Sequence, residues 1–188
     1  MKNIKIGTLL IIPALLVLFA GCSKKTITVT NDPELEKSLY GTWALSASSE
    51  IEIWSEPNTD NEKYLGKATV LSTNSMSFSN NQNFEMANST TVQALNLYDD
   101  AFISEEDIKL QVEKSVIISG RFSVDKDYLE LKSESVLVNG KVSYTAEEYS
   151  QIDSSFGSIV QTQKWNISGN SLNVSDLAGT SAVSFTRQ

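Results

Sequence analysis

The sequence predicts an all-β domain, an antiparallel barrel or sandwich of about eight to ten strands with one short helix before it and another near 146–156. Three observations predict it. From residue 41 onward apolar residues recur with a period of two, as in strands that bury one face. Turn signals rich in Gly, Asn, Asp and Ser recur about every 8–15 residues. No repeat of fixed period is visible, which argues against solenoids and propellers.

The elements follow in order. Asp32-Pro33-Glu34 starts a helix, with an N-cap residue, proline at the first position and an acid in the first turn. Leu35 and Leu39 lie one turn apart, so the helix runs from about Pro33 to Leu39 and ends near Gly41. Trp43 and Leu45 then alternate with Thr42 and Ala44. Met76 and Phe78 pair with Phe84 and Met86 across Asn80-Asn81-Gln82-Asn83, a hairpin spacer. Ser104–Val112 starts like a helix, yet Ile108, Leu110 and Val112 alternate; it is assigned as strand. Val116, Ile118, Phe122 and Val124 share a face with Gly120 between them, and Asp125-Lys126-Asp127 turns the chain into Leu129 and Leu131. Val138-Asn139-Gly140-Lys141 is a type I′ hairpin signal. Thr145-Ala146-Glu147-Glu148 fits a capping box, followed by Tyr149, Ile152 and Phe156 at helical spacing. Trp165 and Ile167 alternate, Gly169-Asn170 turns, Leu172 and Val174 return, and Val183 and Phe185 close the pattern.

The segment before residue 41 carries an address. Lys2 and Lys5 precede an apolar run over 6–19, too short for a comfortable bilayer span of ~20 residues. Small Ala20 and Gly21 follow, and then Cys22, the single cysteine. Phe19-Ala20-Gly21-Cys22 resembles the lipobox of bacterial lipoproteins, with Phe19 where Leu is commonest, as in the looser lipoboxes of the Bacteroidota. The resemblance implies a signal peptide over 1–21, cleavage before Cys22, acylation of Cys22 (a palmitate-type anchor) and a tether over 22–32. Acidic residues that resemble a surface-export signal are missing after Cys22, where Ser23, Lys24 and Lys25 stand. The expected location is the outer membrane, facing the periplasm rather than the cell surface.

Composition bounds the chemistry. Removing 21 of 188 residues leaves 167, enough for one domain with a core over 33–188. Fifteen basic residues face 23 acidic ones, and loss of the leader's two lysines takes the net charge from −8 to −10. Such a chain repels phosphate backbones, so nucleic acid is not an expected partner; membrane association rests on the lipid at Cys22. There is no histidine. With Cys22 acylated there is no free thiol. Ser–His and Cys–His nucleophile pairs and the usual zinc sites are thereby excluded, and a single cysteine makes no internal disulfide. No catalytic activity and no cofactor are expected.

Leu39-Tyr40-Gly41-Thr42-Trp43-Ala44-Leu45 resembles the first-strand G-x-W motif of lipocalins and their bacterial lipocalin-like relatives. The short helix before it is similar to the family's N-terminal helical turn. Gly120–Leu131 resembles a mid-barrel hairpin of such lipoproteins, and Trp165–Leu172 with Phe185-Thr186-Arg187 resembles the final hairpin and last strand. The resemblance covers most of 33–188 and implies an up-and-down lipocalin-like β-barrel. Closure also removes the exposed edges that a many-stranded open sheet would leave. The family pattern implies that Gly41 and Trp43 are motif residues and that Arg187 packs on Trp43 as a cation–π pair.

Candidate sites are few. Trp54 and Tyr64 flank the polar stretch from Ser55 to Lys63 and are placed to stack on a ligand at an open end; the plainer role for Trp54 is to continue the core face of Ile51 or Ile53. Met76, Phe78, Phe84 and Met86 either line a pliable apolar pocket or fill the barrel core. Asp99-Asp100 and Glu105-Glu106-Asp107 lack EF-hand spacing and read as a solvated acidic loop, with no metal assigned. The expected function is non-catalytic binding of a small apolar or amphiphilic molecule inside the barrel. The alternative is a solid barrel serving as a protein-interaction or assembly module of the cell envelope, with a partner the sequence does not name.

Overall fold

The computed structural model describes residues 4–7, 27–55, 63–98, 103–153, 156 and 158–188. Cys22 and most of the leader lie outside them, as do Asp99 and Asp100. The elements are β1 (Ile4–Gly7), α1 (Pro33–Leu39), β2 (Gly41–Ser55), β3 (Tyr64–Phe78), β4 (Asn83–Leu97), α2 (Glu105–Val112), β5 (Lys114–Val124), β6 (Tyr128–Val138), β7 (Val142–Thr145), α3 (Ala146–Ile152), β8 (Val160–Ser168), β9 (Ser171–Ser175) and β10 (Ala182–Arg187). Hydrogen-bonded neighbours run β2-β10-β9-β8-β6-β5-β4-β3, and β3 pairs back onto β2. Eight strands thus close a ring with up-and-down antiparallel order, the fold of a lipocalin-like β-barrel. β7 adds to β6 outside the ring, and β1, which falls in the leader read from the sequence, pairs with Glu52–Ser55 of β2.

The described residues divide into two compact units. The first contains Ser46–Thr73 and Ser89–Lys114 together with β1. Its core is Ile51, Ile53, Leu65, Ala68, Val70, Ile108 and Val112. The second contains Asn74–Asn88 and Ser115–Gln188 together with α1 and the start of β2. Its core gathers Leu39, Trp43, Met76, Phe78, Phe84, Met86, Phe122 and Phe185 with smaller apolar neighbours.

Two sequence assignments are corrected. Ser104–Val112 is not a strand: Glu105–Val112 is helical. The Ser104 hydroxyl caps the Asp107 amide at 3.1 Å, and Lys109 pairs with Glu105 one turn back. Ile108 and Val112 are buried at helical spacing while Leu110 is 75% exposed, so the apparent alternation is one helical face seen twice. The second predicted helix stops at Ile152 rather than running to 156; Phe156 follows in a separate turn and is buried.

The hairpin signals fold as read. Asn139 and Gly140 both take positive φ, 52° and 63°, and the Lys141 amide donates to the Val138 carbonyl at 3.0 Å. Thr145 and Glu148 form the reciprocal capping box. A bulge between β5 and β6 skips Glu134, since Ser119 faces Ser135 while Gly120 faces Ser133. A Cβ on Gly120 would lie 2.0 Å from the Lys132 carbonyl oxygen and 3.0 Å from the Phe84 ring.

The end of the expected tether is docked. The Asp32 amide donates to the Val124 carbonyl at 2.7 Å, and the Asn31 carboxamide oxygen accepts from the Val124 amide. The Asn31 amide nitrogen donates to Glu36, which is 5% exposed and also accepts from the Tyr40 hydroxyl and from Gln82. One carboxylate therefore clasps α1, the chain entering it and the β3–β4 turn. The Tyr40 hydroxyl first, then the Asn31 amide, hold its carboxyl below the ordinary range. A depressed carboxyl stabilises the fold above its unfolded pKa, and this contribution is lost as pH falls through the lower folded value. Acid denaturation as pH falls below the ordinary glutamate pKa of about 4.3 should be shallower in Glu36→Gln. At pH 7 that variant should be about 1–2 kcal/mol less stable, because an amide presents donors to two donors. Urea melts across this pH range check both expectations.

Candidate functional site

The inward wall built by β6 and β8 in the second unit holds the polar chemistry of the interior. Leu129 lies opposite Gln163 and Leu131 opposite Gln161. Two residues further along β6, Ser133 shares the inward face, and its amide donates to the Ile159 carbonyl at 2.8 Å. Ser133, Gln161 and Gln163 are 3%, 7% and 2% exposed. The Gln161 side-chain nitrogen donates to the Ser158 carbonyl at 3.0 Å, which fixes the amide's orientation. The Oε1 atoms of Gln161 and Gln163 and the Ser133 hydroxyl are buried without a hydrogen-bond partner among the described residues. On the same strand Trp165 is half-buried and ties its indole N–H to the Asp125 carbonyl at 2.9 Å. The wall is thus a strip of hydrogen-bonding atoms set among leucines.

Helix α3 packs on β6 and β7. Its Tyr149 lies between Tyr144, at 5.7 Å between ring centroids, and buried Phe156, at 5.3 Å edge-to-face. Burial first, and then Asp153, which accepts the hydroxyl's hydrogen bond, push the Tyr149 phenol up to about 12.

Trp43 is fully buried and donates its indole N–H to the Leu39 carbonyl at 2.8 Å. The Arg187 guanidinium sits over its ring, 4.3 Å from the centroid, and donates to the Ser38 carbonyl at 2.6 Å. The two residues are strand partners across β2 and β10. Gly41 opens β2 at φ +113°, a backbone L side chains rarely adopt.

Of the other sequence candidates, Met76, Phe78, Phe84 and Met86 come together, each at most 4% exposed, in the core of the second unit. The Phe78 ring meets Phe122 edge-to-face at 5.0 Å. Trp54 and Tyr64 also meet, at 5.0 Å, and Tyr64 meets Tyr98 at 5.6 Å. Trp54 does not continue the face of Ile51 and Ile53. It shares parity with exposed Glu52, whose carboxylate accepts its indole N–H, so the cluster lies on the solvent face of the first unit. Tyr98, 59% exposed, was absent from the sequence candidates, as were Ser133, Gln161 and Gln163. The signal for the glutamines was present: period two puts them on the face of Trp165 and Ile167.

Open grooves cross the described residues of the second unit. One, of about 540 Å³, is lined by Thr42, Ser77, Glu85, Ser119 and Glu134 among others; another, of about 570 Å³, by Tyr128, Lys164, Asn166 and Asn173. Among the described residues no group of three or more His, Cys, Asp or Glu converges as a metal site, and no helix is long and apolar enough to cross a membrane. Comparison with protein-family models and with curated proteins finds no match for this chain.

Proposed function

We propose that the chain is a lipid-anchored envelope protein that binds a small amphiphilic molecule against the inward wall of its second unit, without catalysis. The observation carrying this reading is the juxtaposition of buried leucines with three polar atoms on β6 and β8 that have no partner among the described residues. Each such atom costs about 1–3 kcal/mol when left without a partner. A ligand with an apolar body and a polar head offsets that cost while burying its own chain. The β5–β6, β6–β8 and β8–β9 ladders supply the frame for such a wall.

The anchor in this reading rests on Lys2 and Lys5, the short apolar run over 6–19 and the lipobox that ends at Cys22. Processing before Cys22 removes β1, leaving Glu52–Ser55 without that neighbour. Cys22→Ser should shift the protein out of the membrane fraction, or block its processing, while the circular dichroism of the β domain is unchanged. A Cys22→Ser protein that stays membrane-bound and fully processed overturns the anchor. For the binding itself, the processed chain should take up a fluorescent apolar probe saturably, one per chain. Native mass spectrometry should find copurified lipid. A chain that takes up neither overturns it.

A second reading, an interaction module with a filled interior, is favoured by one observation. Met76, Phe78, Phe84 and Met86 pack against one another and Phe122, while the Trp54–Tyr64–Tyr98 cluster lies on an outer face. Crosslinking in the native envelope that captures one partner through Tyr98, together with absent probe uptake, would establish it.

A further inference from the structure

Building on the binding reading, we infer that the β6–β8 wall selects a neutral, hydrogen-bond-donating head group, a hydroxyl or an amide N–H, over a carboxylate. The argument is one of matching. Gln161 Oε1 and Gln163 Oε1 are acceptors, and the Ser133 hydroxyl accepts as readily as it donates. The orientation of Gln161 is set by its bond to the Ser158 carbonyl, so its acceptor end is the end left over. Gln161 and Gln163 are two apart on one strand face, and Ser133 is a diagonal neighbour of Gln161 through Leu131. The three atoms therefore form one contiguous patch rather than scattered defects.

Charge decides the rest. No lysine or arginine is buried among the described residues, so a carboxylate brought to this wall would meet two amide oxygens, a single hydroxyl donor and no cation. The one buried acid among the described residues, Glu36, already accepts three side-chain hydrogen bonds and belongs to the α1 clasp, so the wall has no counter-charge for an ammonium either. What remains is an uncharged donor carried by an apolar chain, the chemistry of a fatty alcohol, an acylglycerol or a fatty amide. Leu129 and Leu131 lie beside the patch to receive the chain's first carbons.

Three probes with one chain length test this: dodecan-1-ol, its methyl ether and laurate. The processed full chain in lipid nanodiscs is titrated by calorimetry against each, with protein-free nanodiscs subtracted. The alcohol should bind at least tenfold tighter than the ether, because a site built for an O–H rejects an analogue lacking it. Laurate should bind no better than the ether. Gln163→Leu should abolish the alcohol's preference to within about twofold while ether affinity holds or rises. Ser133→Ala, a smaller change, should reduce the preference in the same direction should Gln163→Leu not fold. Equal binding of alcohol and ether, laurate binding as well as the alcohol, or a preference untouched by both variants overturns the inference and leaves the binding reading standing. Failure of all three probes to bind overturns the binding reading itself.

Discussion

Trp43→Ala should cost about 3–5 kcal/mol of stability and lower the midpoint of thermal unfolding by roughly 10 °C. The indole is fully buried in the core of the second unit, and its removal leaves a cavity beneath α1 that the surrounding strands close only in part. The same change withdraws the donor to the Leu39 carbonyl and the ring under Arg187. Controls apportion the effect. Arg187→Ala should cost only about 1 kcal/mol, since the guanidinium is at the surface and its bond to Ser38 is exposed to water. Trp43→Phe should fall between the two, keeping most of the apolar bulk and losing the N–H. Chemical denaturation of the four proteins gives these differences directly. A Trp43→Ala protein no weaker than Arg187→Ala would show that the indole is not the keystone of this core.

Gly120→Ala should be the next most damaging change, at about 3 kcal/mol. A methyl group there would sit 2.0 Å from a backbone carbonyl oxygen, that of Lys132, with the Phe84 ring closing the other side at 3.0 Å. A flexible side chain would move aside; a paired backbone inside a sheet moves only by opening the β5–β6 ladder. The strain falls at the bulge that sets Glu134 out of register. Hydrogen exchange should therefore speed up at Gly120–Phe122 and Leu131–Ser133 before elsewhere. Gly140→Ala makes a useful contrast, because its Cβ meets nothing within 4 Å and only the positive φ resists it. That variant should cost about 1 kcal/mol.

Much of this architecture was legible in the sequence because two-residue periodicity and turn chemistry are local signals. Asn139-Gly140, the Thr145 capping box and the Met76–Met86 hairpin need no tertiary information. The G-x-W motif located Trp43, and through the family pattern Arg187. Illegible features depend on context. Ile108, Leu110 and Val112 have the spacing of a strand, and only the Ser104 cap and the burial of Ile108 and Val112 decide for a helix. For Trp54 residue type favours burial, whereas its parity with exposed Glu52 places it on the solvent face. The polar wall is hidden for the opposite reason. Apolar periodicity treats a glutamine as outward, and Gln161 and Gln163 are inward because Trp165 and Ile167 fix the face of β8.

The Arg187–Ser38 hydrogen bond joins positions 149 residues apart. Pairing β10 with β2 therefore closes the longest loop in the ring, whereas the β3–β4, β5–β6 and β8–β9 hairpins close short ones. Loop entropy places the hairpins early and this seam late on the folding route. Until it forms, β2 and β10 are unpaired edges, open to strands of other chains. Folding should thus be slow, and its yield should depend on chain concentration more steeply than the stability of the finished barrel suggests. In synthesis from the N-terminal end, the ring is sealed only once Arg187 has been made.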